Sequence, residues 1–315
     1  MASKYNEIDL SRVRTVPIKQ RGSKVTVDDF GEPVKGGKAF AHWLRSLPDQ
    51  LAVKRMRELV LAMRQAVSGR ERELIWMIGA HLIKCGLSRY LIELMKRGYV
   101  TTIAMNGAAL IHDLEIACFG ETSEDVAANL ERGFFGFTEE TAERCFDAVA
   151  RGAREGMGLG ESIGAYLLKT RAPRREYSIL AESYRMSLPV TVHVAVGTDV
   201  IHQHPGFQGA VWGELSARDF RIFSACVERL GKKGGVVLNV GSAVVLPEVF
   251  LKAFSIARNL GVSFDRITTC NLDMIQHYRP NENVLTRPTN FGGKKISLTG
   301  HHEIMIPLIY SSLLS

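Results

Sequence analysis

Apolar positions along the chain keep two rhythms. A helical period runs through AFAHWLRSLPDQLAVKRMRELVLAMRQAVSG, with Leu59, Leu61 and Met63 on its apolar stripe and Gly69 as a stop. A second rhythm then sets in. The strand-length run ELIWMIGAH is followed by the amphipathic LSRYLIELMKRG, and VTTIAMNGA by ALIHDLEIACFG. After an interval come PVTVHVAVGTD, GGVVLNVGSA and FDRITTCNLD, with SARDFRIFSACVERLG and LPEVFLKAFSIARNLG as helices around the middle run, and then KKISLTG and HHEIMIPLIYSSLL. Apolar strands alternating with amphipathic helices predict an α/β fold with a doubly wound, mostly parallel sheet covered on both faces.

Two stretches break the rhythm. Residues 121–189 read as a helical insertion, with TSEDVAANLERG, TEETAERCFDAVARGAREG and REYSILAESYRM as its helices and capping-type starts at Thr122–Asp125 and Thr138–Thr141. Residues 1–37 are polar and punctuated by Gly and Pro, which predicts an extended arm with little core of its own. A chain of 315 residues suits one large α/β domain or two modest ones. The pattern favours one, over 38–315.

Composition narrows the class. With 46% hydrophobic and 23% charged residues the chain reads as a soluble globular protein. Five cysteines without a CxxC pair (Cys85, Cys118, Cys145, Cys226, Cys270) read as reduced thiols in a cytoplasmic protein. The opening MASKYNEIDLSRVR is too polar for a signal peptide, and IMIPLIYSSLL, 11 residues interrupted by Pro307, is too short to span a bilayer. The net charge of +7 is spread over short basic pairs without interleaved aromatics, so neither nucleic acid nor membrane is an expected partner. The mild excess suits an anionic ligand or an acidic partner protein.

Ligands of open parallel sheets bind beyond the carboxyl ends of the strands. There the sequence puts His81; then Asn106 and Gly107, with His112 and Asp113 a turn later; then Gly197, Thr198, Asp199, His202 and His204. Asn239, Gly241 and Ser242 follow the fourth run, Asn271, Asp273 and His277 the fifth, and His301, His302 and Glu303 the last. Seven of the nine histidines fall at these ends, which predicts a shared polar rim and a ligand-binding crevice. No metal is assigned: His202-x-His204 with Asp199 offers ligands, but i,i+2 side chains point apart on a strand and no HExxH is present. GMGLGESIG, residues 156–164, follows a helix and reads as a helix–helix turn, not a dinucleotide fingerprint. Better phosphate cradles are Asn106-Gly107-Ala108-Ala109 and Gly241-Ser242-Ala243, each joining a strand to a helix. RPNENVLTRPTNFGG, residues 279–293, has no core pattern and reads as a lid whose Arg279 and Arg287 could reach an anion.

The run GAHLIKCGLSRYLIELMKRGYVTTIAMNGAALIHDLEIACFG, with MSLPVTVHVAVGTD, GGVVLNVGSAVVLPE and KKISLTGHHEIMIPLIYSSLL, resembles the deoxyhypusine synthase family in order over residues 70–315. The resemblance implies a Rossmann-like fold, bound NAD and a homotetramer with sites at subunit interfaces. It implies oxidation of a polyamine, an imine to a catalytic lysine, and transfer of the aminobutyl group to an amine acceptor. The chain departs from the family at several places. The turn TTAGGVEED appears as MNGAALIHD, so His112 stands where a carboxylate helps hold the polyamine. TSN becomes GAH with His81, TDGSLGD becomes GTDVIHQHP, and the acidic EFDGSDSGA loop becomes NLDMIQHYRPNEN. The lysine-bearing WGK segment has no clear counterpart; FGGKK looks a little like it, though Lys294 and Lys295 stand at the start of the final strand. Lys84 is a further candidate.

The resulting expectation is an NAD-dependent transferase acting on a small amine or polyamine. Its catalytic candidates are Lys294, Lys295, His112, Asp199 and His202. Its cofactor-binding candidates are His81, Asn106, Gly107, Gly241, Ser242, Asn271, Asp273 and His301. Two alternatives stay open. One is a diverged enzyme using the His/Asp-rich crevice for other acid–base or metal-assisted chemistry, since histidines in place of carboxylates favour proton transfer near neutral pH. The other is a non-catalytic oligomeric binding protein.

Overall fold

The computed structural model describes residue 8, residues 10–69 and residues 72–315. Its centre is a sheet of six parallel strands: β2 (Glu73–Ile78), β3 (Thr102–Asn106), β5 (Val190–His193), β6 (Gly235–Val240), β7 (Ile267–Asp273) and β8 (Lys294–Thr299). Across the sheet they run β5-β3-β2-β6-β7-β8. Counted along the chain within this sheet, that is the order 3-2-1-4-5-6 of doubly wound dinucleotide-binding folds. The chain winds outward from β2 to β5, returns to pair β6 with β2 (Ile75 opposite Val237), and winds outward again. The switch point therefore lies between the carboxyl ends of β2 and β6.

Strand residues are buried on both faces and divide by parity. Ile75 and Met77 of β2 join Phe223, Phe250 and Phe264 in one core layer. Leu74, Trp76 and Ile78 join Leu59, Met63 and Tyr310 in the other. Alternate side chains point to opposite faces, so one unbroken apolar run feeds both layers. Each large side chain sealed this way contributes about 1.5–3 kcal/mol. Trp76 also needs a polar partner, and its Nε1–H donates to the Tyr99 carbonyl at 3.0 Å.

Three local readings change. The segment Val190–Pro205 leaves the sheet at His193, earlier than its alternation suggests, and ends in a 3-10 turn over Val200–Gln203. The stretch 121–189 begins with a strand, β4 (Glu121–Glu124), before its helices Val126–Glu131, Glu139–Glu155, Leu159–Lys169 and Ile179–Arg185. β4 pairs antiparallel with β1 (Ser23–Thr26) of the arm, Val25 opposite Thr122. The arm also buries Val16, Ile18 and Phe30. Residues 279–293 are not a lid: all but the last four belong to consecutive helical turns that bury Asn283, Val284, Leu285 and Pro288. Arg279 is held by Glu248 at 3.1 Å and Arg287 by Asn283 at 2.6 Å. In the glycine-rich run, Gly160 and Gly164 lie against the backbone of Val190 and Leu180, where a methyl group would overlap. Their role is close packing.

Among the described residues no helix is long and apolar enough to cross a membrane, and all five cysteines are free.

Candidate functional site

Beyond the carboxyl ends of β3 and β5 the insertion and the arm close over a cavity of about 210 Å³. Lys84, His112, Glu115, Asp199, His204 and the arm residue Arg21 line it. Each reaches it for a local reason. Asn106 ends β3 and caps the helix Gly107–Phe119, its Oδ1 accepting from the Ala109 amide at 3.0 Å. Asp199 returns from the loop after β5 and rests on the same helix start; a side chain at Gly107 would overlap its Oδ2. Burial lifts the Asp199 carboxyl to about 6, against a hydrogen bond from the Ala108 amide that favours the charged form. The expected phosphate cradle at Asn106–Ala109 is thus filled by the protein's own carboxylate.

His202 does not line the cavity. Its Nδ1 accepts from the Gly197 and Asp199 amides at 3.1 and 3.3 Å, which fixes the proton on Nε2. Nε2 is buried 3.9 Å from Asp199 Oδ2, and the ring packs edge-on against Phe207 and Trp212. Burial holds its pKa below the usual imidazole value. His202 therefore packs behind the Asp199 loop, off the cavity.

His112 does face the cavity, at the end of a relay. Arg21 Nη1 donates to Glu115 Oε1 at 2.5 Å, with the two side chains 3% and 2% exposed. Thr122 and Thr141 donate to the same carboxylate at 2.5 and 2.8 Å. Because the Thr122 hydroxyl proton is committed to Glu115, Thr122 Oγ1 accepts from His112 Nδ1 at 2.6 Å. That leaves the lone pair of His112 on Nε2. Burial lowers its pKa to about 4, while Glu115 works against the shift. His204, on the same wall, donates from Nε2 to the Gly136 carbonyl at 2.8 Å.

A second cluster forms where β2, β6, β7 and β8 end. Gly79 and Gly241 bring β2 and β6 into backbone contact, and a Cβ on Gly241 would meet His302 at 2.9 Å. His81 stands edge-on to His302 with ring centroids 5.4 Å apart, and its Nε2 is 3.2 Å from Cys85 Sγ. Asp273 lies 4.0 Å from His302 Nε2 and accepts from the Met274 amide. Ser242 Oγ accepts from the Leu246 amide, in the first turn of the next helix, at 3.2 Å. Asn271 belongs to a hydrogen-bonded row running Asn239, Asn271, Gln276, Ser297. His301 is exposed.

The rim thus brings together His81, His112, Asp199, Gly241, Ser242 and Asp273, in two clusters with Lys84 beside both: it lines the cavity and lies close enough to act on His81. It does not include Lys294 and Lys295. These open β8 opposite Thr268 and Thr269, exposed, at the amino end of the sheet, about 15 Å of strand from the crevice. Sequence reasoning missed Arg21, Glu115 and Thr122. The three-residue spacing of His112 and Glu115 on one helix face was a usable signal; nothing marked Arg21.

Comparison with protein-family models finds no match, and comparison with curated proteins finds none. Solved structures do match. A conserved LOR/SDH protein from Methanococcus maripaludis aligns over 85% of this chain and 71% of its own, at 14% identity and a TM-score of 0.51. AgrE, in a ternary complex with ornithine and NAD+, aligns over 82% of this chain at 14% identity and a TM-score of 0.51. This chain spans 33% of AgrE. A protein assigned as a deoxyhypusine synthase from Entamoeba histolytica aligns over 89% of this chain and 96% of its own, at 10% identity and a TM-score of 0.48. For the LOR/SDH protein and AgrE, at such identities, the likeness is one of fold, a Rossmann-like doubly wound sheet.

Does this chain's own switch point suit a dinucleotide? The fingerprint that follows the first strand of such sheets is G-x-G-x-x-G. Here it reads Gly79-Ala80-His81-Leu82-Ile83-Lys84. Only the first glycine is kept, His81 stands where the second lets a pyrophosphate approach, and the helix that follows has five residues. The acidic residue expected at the end of the second strand is Asn106, already spent as a cap. These residues do not fit a dinucleotide held in the standard way.

Proposed function

We propose that the protein is an enzyme acting on a small primary amine in the cavity, with Asp199 pairing the ammonium and His112 Nε2 taking a proton from it to give the neutral, nucleophilic amine. The observation that carries this reading is Asp199: a carboxylate 7% exposed, on the cavity wall, whose nearest ionisable partner is the neutral His202 imidazole, with no Lys or Arg ion-paired to it among the described residues. A buried carboxylate without a cation is costly, and a ligand cation removes the cost. Burial keeps His112 neutral and its Nε2 able to accept the proton as general base, and Glu115, two hydrogen bonds away through Thr122, offsets part of the cost of the buried imidazolium that forms. AgrE, of the same fold, is solved with ornithine, an amine.

The test is thermal unfolding against a panel of diamines, spermidine and ornithine. At least one amine raises the Tm of the wild type and leaves Asp199→Asn unmoved. His112→Gln keeps the binding shift and loses turnover of that amine by about 100-fold or more. A panel with no response, or one that shifts Asp199→Asn equally, ends the proposal.

A narrower reading, aminobutyl transfer through a lysine imine with NAD held elsewhere than at the turn after β2, is favoured by one observation: Lys84 lines the cavity. Borohydride trapping in the presence of spermidine and NAD+ would label Lys84 under this reading. An unlabelled Lys84 leaves the acid–base reading alone.

A further inference from the structure

We propose that His81, Cys85 and Glu303 bind one divalent ion of the zinc class at the carboxyl edge of β2, where dinucleotide-binding relatives of this fold place the second glycine of their fingerprint. The inference does not depend on the amine reading.

The donors converge from two elements. His81 and Cys85 are four residues apart across the short helix after β2, which puts imidazole and thiol on one face. Glu303 comes from the first turn of the helix His302–Leu313. One donor atom from each of the three lies within 4.8 Å of the other two, and His81 Nε2 and Cys85 Sγ are 3.2 Å apart. Donors of a tetrahedral zinc, at bond lengths of 2.0–2.3 Å, are about 3.3–3.8 Å apart. The imidazole and thiol, at 3.2 Å, come within a few tenths of an ångström of that separation. The Glu303 side chain, 50% exposed and already in contact with the Cys85 thiol, closes the remaining distance by a change of rotamer.

The donor set selects the ion. A thiolate, an imidazole and one carboxylate suit zinc or a neighbouring transition metal, not the all-oxygen shells of magnesium or calcium. Two anionic donors neutralise a dication, which lets the site tolerate Lys84 next to it. His302, 1% exposed, packs its ring against His81 and fixes its orientation. The same residues offer a rival arrangement, a Cys85 nucleophile activated by His81. Glu303 argues against it: a carboxylate at the thiol opposes a lone thiolate, whereas a metal calls for both. Three protein donors leave a fourth position open to the crevice, as in catalytic rather than structural zinc sites.

Elemental analysis and cobalt substitution of the full-length protein decide the matter. After dialysis against zinc the wild type should hold about one equivalent, and the cobalt form should show a thiolate-to-metal charge-transfer band. That band disappears in Cys85→Ala. Glu303→Gln, a change at a half-exposed side chain that leaves the fold intact, weakens zinc binding by more than about 100-fold. Wild-type protein without stoichiometric zinc or without the thiolate band overturns the site, as do variants that bind like the wild type. The amine-induced thermal shift of metal-free protein reads Asp199 separately, so either proposal fails without the other.

Discussion

Three aspartates are buried and protonate more easily than usual, yet they do different work. Asp113 accepts from Ser178 and from the Ile179 and Leu180 amides at 2.8 and 3.1 Å. Asp219 accepts from the Gly160 and Val192 amides at 3.0 and 2.7 Å. Both pin helices and strand to one another. Asp199 differs in facing a cavity, and that distinction makes it the binding candidate. Arg21 is the opposite case, a buried cation spent on Glu115. Arg21→Ala strands the carboxylate with two threonine hydroxyls and no countercharge, and should cost about 3–5 kcal/mol in chemical denaturation. Arg21→Met combined with Glu115→Gln should recover most of that loss. A single variant as stable as wild type would mean that water reaches Glu115.

At the scale of elements, the site rests on the joint between the Asp199 loop and the helix Gly107–Phe119. A methyl group at Gly107 overlaps the Asp199 carboxylate, so Gly107→Ala should destabilise by about 1–3 kcal/mol and push the loop away. Asp199→Ala in the same chain removes the overlap, and a double-mutant cycle should return a coupling of about 1 kcal/mol or more. Additive effects would place the loop elsewhere. The sheet behind this joint was legible in the sequence because β2, β3, β6 and β7 are apolar runs closed by turn residues, and strands buried on both faces must look that way. The rim was legible because strand ends fix where polar side chains gather. What each rim residue does was not. His202 and His112 are alike in sequence, and only the amides around Nδ1 of the first and the hydroxyl on Nδ1 of the second tell a ring packed behind the loop from a ring that faces the cavity. Arg21 reaches the cavity through the β1–β4 pairing of two polar segments, a long-range contact that leaves no periodic trace. Residues 279–293 misled for a related reason: Pro280 and Pro288 mark a loop in sequence but lie within helical turns in the fold, Pro280 closing Tyr278–Pro280 and Pro288 near the start of Arg287–Thr289.

At the scale of the whole molecule, buried titratable groups pull stability in opposite directions with pH. Burial lowers five imidazoles in the metal-free protein: His81, His202 and His204, His112 to about 4 and His193 to about 3. Below pH 6.5 the unfolded chain protonates these and the folded chain does not, so their effect is lost stability as pH falls toward the folded values. Burial raises Asp113 and Asp199 to about 6 and Asp219 to about 7. Between the unfolded value near 3.8 and those folded values the native state holds the extra protons, so these three lose stability as pH rises. The imidazoles thus cost stability on acidification from pH 6.5 to 4.5, and that loss is blunted by the aspartates and by Glu124, which burial also raises. Removing one aspartate removes part of the blunting. Asp199→Asn should be more stable than wild type at pH 7, by about 2–3 kcal/mol at most, because the cost of its buried charge is gone. Its stability should then fall with acid more steeply, by one further proton or roughly 1.4 kcal/mol per pH unit between pH 4.5 and 5.5. Urea midpoints across pH 4.5–7.5 measure both effects. Curves that stay parallel would mean that Asp199 titrates as a solvated carboxylate, and a solvated carboxylate has no standing demand for a cationic ligand.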